Sequence, residues 1–355
     1  MKKVVIGLSG GVDSSVAALL LKEQGYEVIG ATMQTWKDTD TDNREASVIE
    51  DAKGVAQALG IEHHVIPFYD TFKCHVMDYF VEEYLQGRTP NPCVVCNRHV
   101  KWEAMLQYAN SIGAESIATG HYARIDQLEN GRYSLKKAAT TAKDQTYALY
   151  GLTQEQLAHT IMPVGQFEKE QIRQMAEDAK IPVANKPDSQ EICFIPDKDY
   201  ASYIRNYHLD TQSCESKIQE GNFVNTKGEI LGRHKGIIHY TIGQRKGLNI
   251  SLGRPAFVLE IRPETNEVVL GENEELFTHT VRANRINFMA ADDIEGEVKA
   301  FGKIRYNHKG NNCIVKKIGE DLLECTFEVP VRAVTPGQAL VLYQGDYVLA
   351  GGTIL

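Results

Sequence analysis

The chain has 355 residues, of which 43% are hydrophobic and 24% charged, and a net charge of −9. A globular mix of that length excludes a disordered chain, a fibrous repeat and a disulfide-stapled miniprotein, and it allows two or three domains with their own cores. The acidic balance counts against a protein coated with nucleic acid, but it leaves room for a local basic face.

Met1-Lys2-Lys3 runs straight into Val4-Val5-Ile6, an apolar run too short for a secretory signal. No apolar stretch reaches the roughly 18 residues of a membrane span. The sequence therefore predicts a cytoplasmic protein without a membrane partner. In that reducing compartment the seven cysteines are expected as free, metal-bound or catalytic groups rather than structural disulfides.

Apolar spacing predicts strands at residues 4–8, 27–33, 64–67 and 116–119, and helices at 14–24, 46–59, 72–85 and 101–112. Strands alternating with helices read as βαβ units with a parallel sheet, whose active sites lie at the carboxyl ends of the strands. After about residue 200 the pattern changes to short strands and turns. Residues 223–231 and 257–270 read as hairpins. Further strands are predicted at 297–304, 313–317, 322–327, 339–343 and 347–354, spacing that suits a small barrel or sandwich. The expected architecture is α/β: a parallel-sheet nucleotide-binding domain (1–205), a small β-rich central domain (206–277) and a C-terminal β-barrel (278–355).

The first predicted strand ends in Gly7-Leu8-Ser9-Gly10-Gly11-Val12-Asp13-Ser14 and is followed by a helix. Glycines let the backbone approach a phosphate, and a helix start presents free N–H groups and a positive dipole end. Ser9 and Ser14 add hydroxyl donors. Asp13 does not suit a bare anion; it fits as a magnesium ligand or as a hydrogen-bond partner that shapes the loop. A glycine turn with an Asp cap is the plainer alternative. The serine-rich, lysine-free loop also differs from the Walker type. It resembles the loop of the N-type ATP pyrophosphatases, which implies release of pyrophosphate and an adenylated intermediate.

Cys93-Val94-Val95-Cys96 follows Arg88-Thr89-Pro90-Asn91-Pro92, whose two prolines hold a loop. Asn97 reads as the cap of the helix at 101–112. Cys96 is thereby expected at a helix N-terminus, where the dipole and Arg98 lower a thiol pKa. A bare C-x-x-C is half a zinc site or a redox pair, with Cys193 as a conceivable third ligand. Cys193, between Ile192 and Phe194, reads either as a small buried hydrophobe or, after the polar run 187–191, as a thiol shown to a cleft. Cys74, Cys214, Cys313 and Cys325 have no partner spacing; the last two fall on core strands.

Taken together, the motifs resemble the tRNA-specific 2-thiouridylases over almost the whole chain. They are Gly7 to Ser14, Met33-Gln34-Thr35-Trp36, Thr89-Pro90-Asn91-Pro92 with the cysteines, Asn97, and Lys101-Trp102. Ala118 to Arg124, Lys143 to Tyr147, Ser189 to Ile195 and Thr241 to Leu248 continue the series. The resemblance implies an adenine nucleotide alpha hydrolase-like first domain. It also implies 2-thiolation of the wobble uridine (position 34): ATP adenylates the uridine 2-carbonyl oxygen, and a persulfide sulfur displaces AMP.

By position, the resemblance gives Cys193 the persulfide and makes Cys96 the second catalytic cysteine, assisting sulfur release or closing a disulfide with Cys193. It assigns Gly7 to Ser14, Met33 and Gly120 to ATP with Mg2+, and Asn91, Pro92 and Cys93 to the target base. His121, Lys143, Asp144, Gln145, Arg305, Tyr306 and Gln338 fall at tRNA-contacting positions. The implied sulfur donor is a cysteine desulfurase or sulfur-relay protein. Many members carry Asp where this chain has Cys93, which leaves that residue's role open. Cys93, Cys96 and Cys193 are also the candidate ligands of a four-iron cluster. Two rivals stand beside this reading: another ATP pyrophosphatase acting on a small molecule, and an RNA-binding protein with a metal clip at Cys93 and Cys96.

Arg233-His234-Lys235, His239-Tyr240 and Arg245-Lys246 make one basic cluster, and Lys299, Lys303, Arg305, His308 and Lys309 another. Phosphate contacts through such faces release counterions, so affinity for tRNA is expected to fall steeply with salt in a filter-binding titration; a flat dependence would count against these faces as the RNA site.

Overall fold

The computed structural model describes residues 2–35, 43–187, 192–195, 197, 199–208 and 218–355. Trp36, residues 188–191 and Cys214 lie outside the described residues.

The first strand, β1 (Lys3–Gly7), leads through the glycine loop to α1 (Val12–Glu23), β2 (Glu27–Gln34), α2 (Asn43–Leu59) and β3 (Glu62–Pro67). Val4, Val5 and Ile6 have no exposed surface, as the central strand of a parallel sheet covered on both faces requires. A long helical stretch follows: α3 (Tyr69–Phe72), a π-helical segment (Lys73–Asp78), α4 (Tyr79–Leu85), then α5 (Pro92–Val95), a second π segment (Cys96–Ala104) and α6 (Met105–Ser111). β4 (Ser116–Ala118) returns the chain to the sheet, and β7 (Thr160–Ile161) closes its far edge. The order is β3-β2-β1-β4-β7, all parallel. The chain reverses direction across the sheet between β1 and β4, which makes their carboxyl ends the natural binding crevice.

The second half divides as its hairpins suggest. β8 (Gly221–Val224), β9 (Ile230–His234), β10 (Phe257–Arg262) and β11 (Glu267–Gly271) form a four-stranded sheet in the order β10-β11-β8-β9. β12 (Phe277–Phe288), β13 (Glu297–Lys303), β14 (Asn311–Gly319), β15 (Leu322–Arg332), β16 (Ala339–Gln344) and β17 (Tyr347–Ile354) form a barrel that the β12–β17 pairing closes. Cys313 and Cys325 are buried in it. No helix among the described residues is long and apolar enough to cross a membrane.

Several short elements carry too few residues for periodicity to reveal. They include α7 (Thr146–Leu149), α8 (Gln154–Ala158), and the hairpin β5 (Arg124–Gln127) with β6 (Tyr133–Lys136). α9 (Lys169–Asp178) and α10 (Tyr200–His208) are longer, but polar residues dilute their apolar stripes. The β5–β6 hairpin leaves the parallel sheet and extends the barrel sheet, where Lys136 pairs with Tyr347 of β17. Ser134 Oγ donates to the Val348 carbonyl at 2.9 Å, and Arg132 donates to the carbonyls of Phe288 and Met289.

Leu135 sits fully buried at that junction, in the core shared with Tyr147, Met289 and Val348. Leu135→Ala leaves a cavity and is expected to lower stability by about 2–5 kcal/mol. Urea denaturation followed by tryptophan fluorescence and by circular dichroism checks this, with both signals shifting together because the hairpin ties the barrel to the catalytic sheet.

Candidate active site

Two loops meet at the crevice. In the first, Gly10 has φ +63, and a Cβ there would lie 2.9 Å from the Val48 carbonyl oxygen, so the position calls for glycine twice over. Ser9 N donates to Ser14 Oγ at 3.2 Å, and Ser14 Oγ donates to the Gly11 carbonyl at 3.2 Å. The hydroxyls brace the loop, while the first N–H groups of α1 lack intrahelical partners, as at any helix start. Leu8 is held down by its N–H to the Ala31 carbonyl at 2.8 Å and by Thr32 Oγ1 donating to its own carbonyl at 2.9 Å. Met33 lies half-buried at the carboxyl end of β2.

The second loop follows β4. A Cβ on Gly120 would stand 2.5 Å from the Ser14 amide nitrogen, so this glycine lets the strand end pack directly on the glycine loop. Beyond it, Tyr122 Oη donates to Asp13 Oδ1 at 2.7 Å. Lys169, the first residue of α9, places its ammonium 2.7 and 2.9 Å from the two Asp13 oxygens, with its side chain only 9% exposed. Of the two roles open to Asp13, the structure displays the shaping one: its carboxylate is engaged by Tyr122 and Lys169. Sequence reasoning missed Lys169, and its one cue was a lysine opening a polar helix far from the loop.

The cysteine side departs from expectation at one point. Cys96 is not at a helix N-terminus. Pro92 takes the first helical position with Asn91 as N-cap, and α5 continues without a break into the π segment, so Cys96 lies a turn inside. Asn97 is no cap: it is buried, and its Nδ2 donates to the Ala148 carbonyl at 2.9 Å. The thiol is therefore not activated. Burial pushes Cys96 up to about 12; Lys101 opposes the rise, and Cys193 and Cys93 reinforce it. Cys193 is also raised, first by burial and then by Cys93, with Lys101 again pulling down. Cys193 shows surface to solvent and is nonetheless desolvated, which fits a thiol on the floor of a cleft. Its turn is anchored by buried Phe194, which packs edge-on with Phe72 and Phe80 and tilted against Tyr203.

The structure thus brings Cys93, Cys96 and Cys193, from segments about a hundred residues apart, into electrostatic reach of one another around Lys101. Lys101 also acts on His121, whose pKa burial holds well below the ordinary value, so the imidazole is neutral at pH 7. His121 packs against Trp102 at 5.2 Å, and its Nδ1 lies 2.9 Å from Thr119 Oγ1. His121 follows Gly120, so one short stretch joins the glycine loop to the thiols. Among the described residues no group of three His, Cys, Asp or Glu side chains is arranged to hold a metal ion, so the three thiols as placed do not fit an iron–sulfur cluster.

The remaining residues gather at the junction with the barrel. Asp144 accepts from Ala138 N at 2.7 Å, and Gln145 Oε1 accepts from Tyr122 N at 2.8 Å; Lys143 adjoins them. Tyr306 Oη reaches the Asp144 carbonyl at 3.4 Å, and Arg305 Nη1 donates to the Arg332 carbonyl at 3.0 Å. Gln338 Nε2 donates to the Thr89 carbonyl at 2.8 Å, just before Asn91 and Pro92. His234, expected within a basic cluster, is instead buried with a lowered pKa and bonded to the Asn266 carbonyl, so it adds no charge there.

Family models described as the tRNA methyl transferase HUP domain, the tRNA methyl transferase PRC-barrel domain and the aminomethyltransferase beta-barrel domain match residues 2–197, 212–272 and 278–354. A tRNA-specific 2-thiouridylase MnmA from Lachnoclostridium phytofermentans is 59% identical over 362 aligned residues, covering 100% of both chains. One from Clostridioides difficile is 50% identical over 359, covering 99% of this chain and 98% of its own. This chain belongs to the tRNA-specific 2-thiouridylase family. Among solved structures, a 4-thiouridine synthetase–RNA complex with bound ATP overlaps 56% of this chain and 46% of its own at 17% identity and a TM-score of 0.37, too little to argue from.

Burial favours thiols over thiolates at Cys96 and Cys193. A raised folded-state pKa keeps Cys96 protonated at neutral pH, and the thiolate gains only as pH climbs toward about 12. Iodoacetamide labelling of Cys96, read by peptide mass spectrometry, is expected to rise about tenfold per pH unit through pH 10. A plateau near pH 8 would contradict the burial argument.

Proposed function

We propose that this protein is a tRNA-uridine 2-sulfurtransferase that makes 2-thiouridine at the wobble position, with ATP cleaved to AMP and pyrophosphate. The observation that carries the reading is the continuity of the crevice: Ser14 packs on Gly120, His121 packs on Trp102, and Lys101 acts on both Cys96 and Cys193. A phosphate-binding loop and two cysteines joined in this way suit a reaction in which a nucleotide activates an oxygen and sulfur replaces it.

The chemistry follows from the groups present. A uracil carbonyl oxygen is a poor leaving group, and transfer of AMP to it makes it a good one. The resting thiols are weak nucleophiles because burial keeps them protonated. A persulfide on Cys193 ionises more readily than a thiol and attacks C2 as an anion, with Lys101 facing its charge. Cys96 then attacks Cys193 Sγ; the bond from Cys193 to the outer sulfur breaks, its electron pair stays on the sulfur of 2-thiouridine, and a Cys96–Cys193 disulfide remains, or else Cys96 only assists that release. Asn91, Pro92 and Cys93, where α5 begins, receive the splayed base. His121, Lys143 to Gln145, Arg305, Tyr306 and Gln338 receive the flanking nucleotides. Binding domains that follow the proposed limits near 205 and 277 would let the barrel grip the stem while the crevice works on the loop.

Magnesium would arrive with the ATP phosphates, and Asp13 is the loop's one carboxylate able to meet it. No step is derived through an iron–sulfur cluster. A cysteine desulfurase or relay protein would deliver the sulfur, and a tRNA substrate places the work in the cytoplasm. The family-model descriptions speak of methyl transfer, but a sulfonium methyl donor carries its own leaving group and needs neither an ATP-splitting loop nor paired thiols.

Nucleoside mass spectrometry of tRNA incubated with ATP, a persulfide donor and wild-type protein should show 2-thiouridine at position 34. Cys96→Ser and Cys193→Ser should each abolish it, while tRNA-dependent pyrophosphate release persists in Cys193→Ser because adenylation precedes sulfur attack. Thiolation surviving in either variant would break the assignment, and AMP formed equally without tRNA would favour a small-molecule substrate.

A further inference from the structure

The ATP loop from Gly7 to Ser14 contains no lysine or arginine, yet it must receive a triphosphate and release pyrophosphate. A helix N-terminus and glycine N–H groups supply only partial charges. The missing full charge stands beside the loop. Lys169 is one of the few lysines with a nearly buried side chain, and its ammonium contacts both oxygens of Asp13, the second residue of α1. Burying an ammonium is costly unless an anion meets it. Here that anion sits at a helix N-terminus, where a phosphate would also be welcome. The Asp13 carboxylate thus gives Lys169 an anionic partner at the same helix end that would suit a phosphate oxygen.

The mounting is rigid. Lys169 opens α9 under a capping box between Glu168 and Gln171, and Ile172 and Ala176 bury the helix in the core that holds Val12 and Val16 of α1. The ring of Tyr122 lies 5.7 Å below the ammonium and donates its own hydroxyl to the same carboxylate. A second lysine approaches the other flank: Lys186 pairs with Asp51, whose Cβ lies 3.0 Å from where a Gly10 Cβ would stand. Its side chain is 35% exposed against 9% for Lys169, which makes Lys186 a rim charge rather than one held in the crevice.

We propose that Lys169 is the phosphate-binding cation of this loop, supplied by a distant helix, and that it exchanges Asp13 for the β- and γ-phosphates when ATP binds. The proposal rests on the ATP-splitting reading above. In the adenylation step the uracil O2 forms a bond to the α-phosphorus. The bond from that phosphorus to the α–β bridging oxygen breaks, its electron pair leaves on pyrophosphate, and the N3 proton of the base passes to solvent. The ammonium gives up no proton; it faces the charge that grows on the departing pyrophosphate.

The alternative is that Lys169 only pins Asp13. The two are separated by comparing affinities for ATP and AMP, measured calorimetrically on the full-length protein. If Lys169 meets the β- and γ-phosphates, Lys169→Met weakens ATP by about 10- to 100-fold and leaves AMP within about twofold, and Lys169→Arg retains most of the preference for ATP. Equal losses for ATP and AMP in Lys169→Met, or no loss for either, would overturn the proposal. Lys169→Arg guards against a folding artefact, since it keeps the charge and the partner. Tryptophan fluorescence melts of both variants read the fold directly. Neither binding comparison involves tRNA, so a wild-type protein that binds ATP but never thiolates tRNA would sink the functional reading while leaving the lysine assignment standing.

Discussion

The site depends on one close backbone approach. At residue 120 the end of β4 lies so near the start of α1 that a Cβ would stand 2.5 Å from the Ser14 nitrogen and 2.6 Å from the Asp13 carbonyl carbon. Neither neighbour is a side chain that can swing away. A residue other than glycine would push β4 from β1 or lift the ATP loop from its strand. Because β4 is seated this closely, the next residues fall into place: His121 against Trp102, and Tyr122 onto Asp13. Nucleotide chemistry and sulfur chemistry are neighbours because two strands of one parallel sheet are neighbours.

A second constraint decides how the three parts of the chain face the substrate. Thr89 donates its N–H to the Pro336 carbonyl and its hydroxyl to Thr241 Oγ1, and its carbonyl accepts from Gln338. Arg88 is clamped to the buried Glu83 by two hydrogen bonds from its guanidinium. The loop that leads into Asn91, Pro92 and Cys93 is thus fixed at once by the helical layer, the central sheet and the barrel. Movement of the barrel against the catalytic sheet would be felt first where the base is expected to sit. That explains why polar residues such as Gln338 stand at a junction that apolar packing could have filled: they tie carbonyls that a loop would otherwise leave unpaired.

Much of this was legible in the sequence because it is local. The strand–glycine–helix pattern of residues 4–24 needs no distant contact to be recognised, and the barrel strands announce themselves by alternation between turns. What escaped was non-local or too short to show a period. The β5–β6 hairpin has four residues per strand and finds its sheet only in the barrel, more than two hundred residues later. Lys169 looks like any lysine on a polar helix until α9 is packed on α1. Cys96 was misplaced for a subtler reason. Two prolines suggest a loop up to the cysteines, but Pro92 can also begin a helix, and here it does. Moving the helix cap from Asn97 back to Asn91 turns an expected thiolate at a helix end into a desolvated thiol a turn inside the helix.

That difference alters the logic of the sulfur chemistry. A cysteine with a depressed pKa at an open cleft would be a thiolate at neutral pH, alkylated and oxidised by whatever reached it. Burial raises both Cys96 and Cys193 instead, with Cys93 adding to the rise at each, which favours the protonated thiols. Lys101 is near enough to lower both, but desolvation outweighs it for the thiols as they stand. On the proposed reading a persulfide on Cys193, more acidic than a thiol, would need less help to carry charge beside the same ammonium. On that reading the incoming sulfur, rather than the protein's own thiols, would be the nucleophile, facing the Lys101 that the π segment carries on the same helix as Cys96.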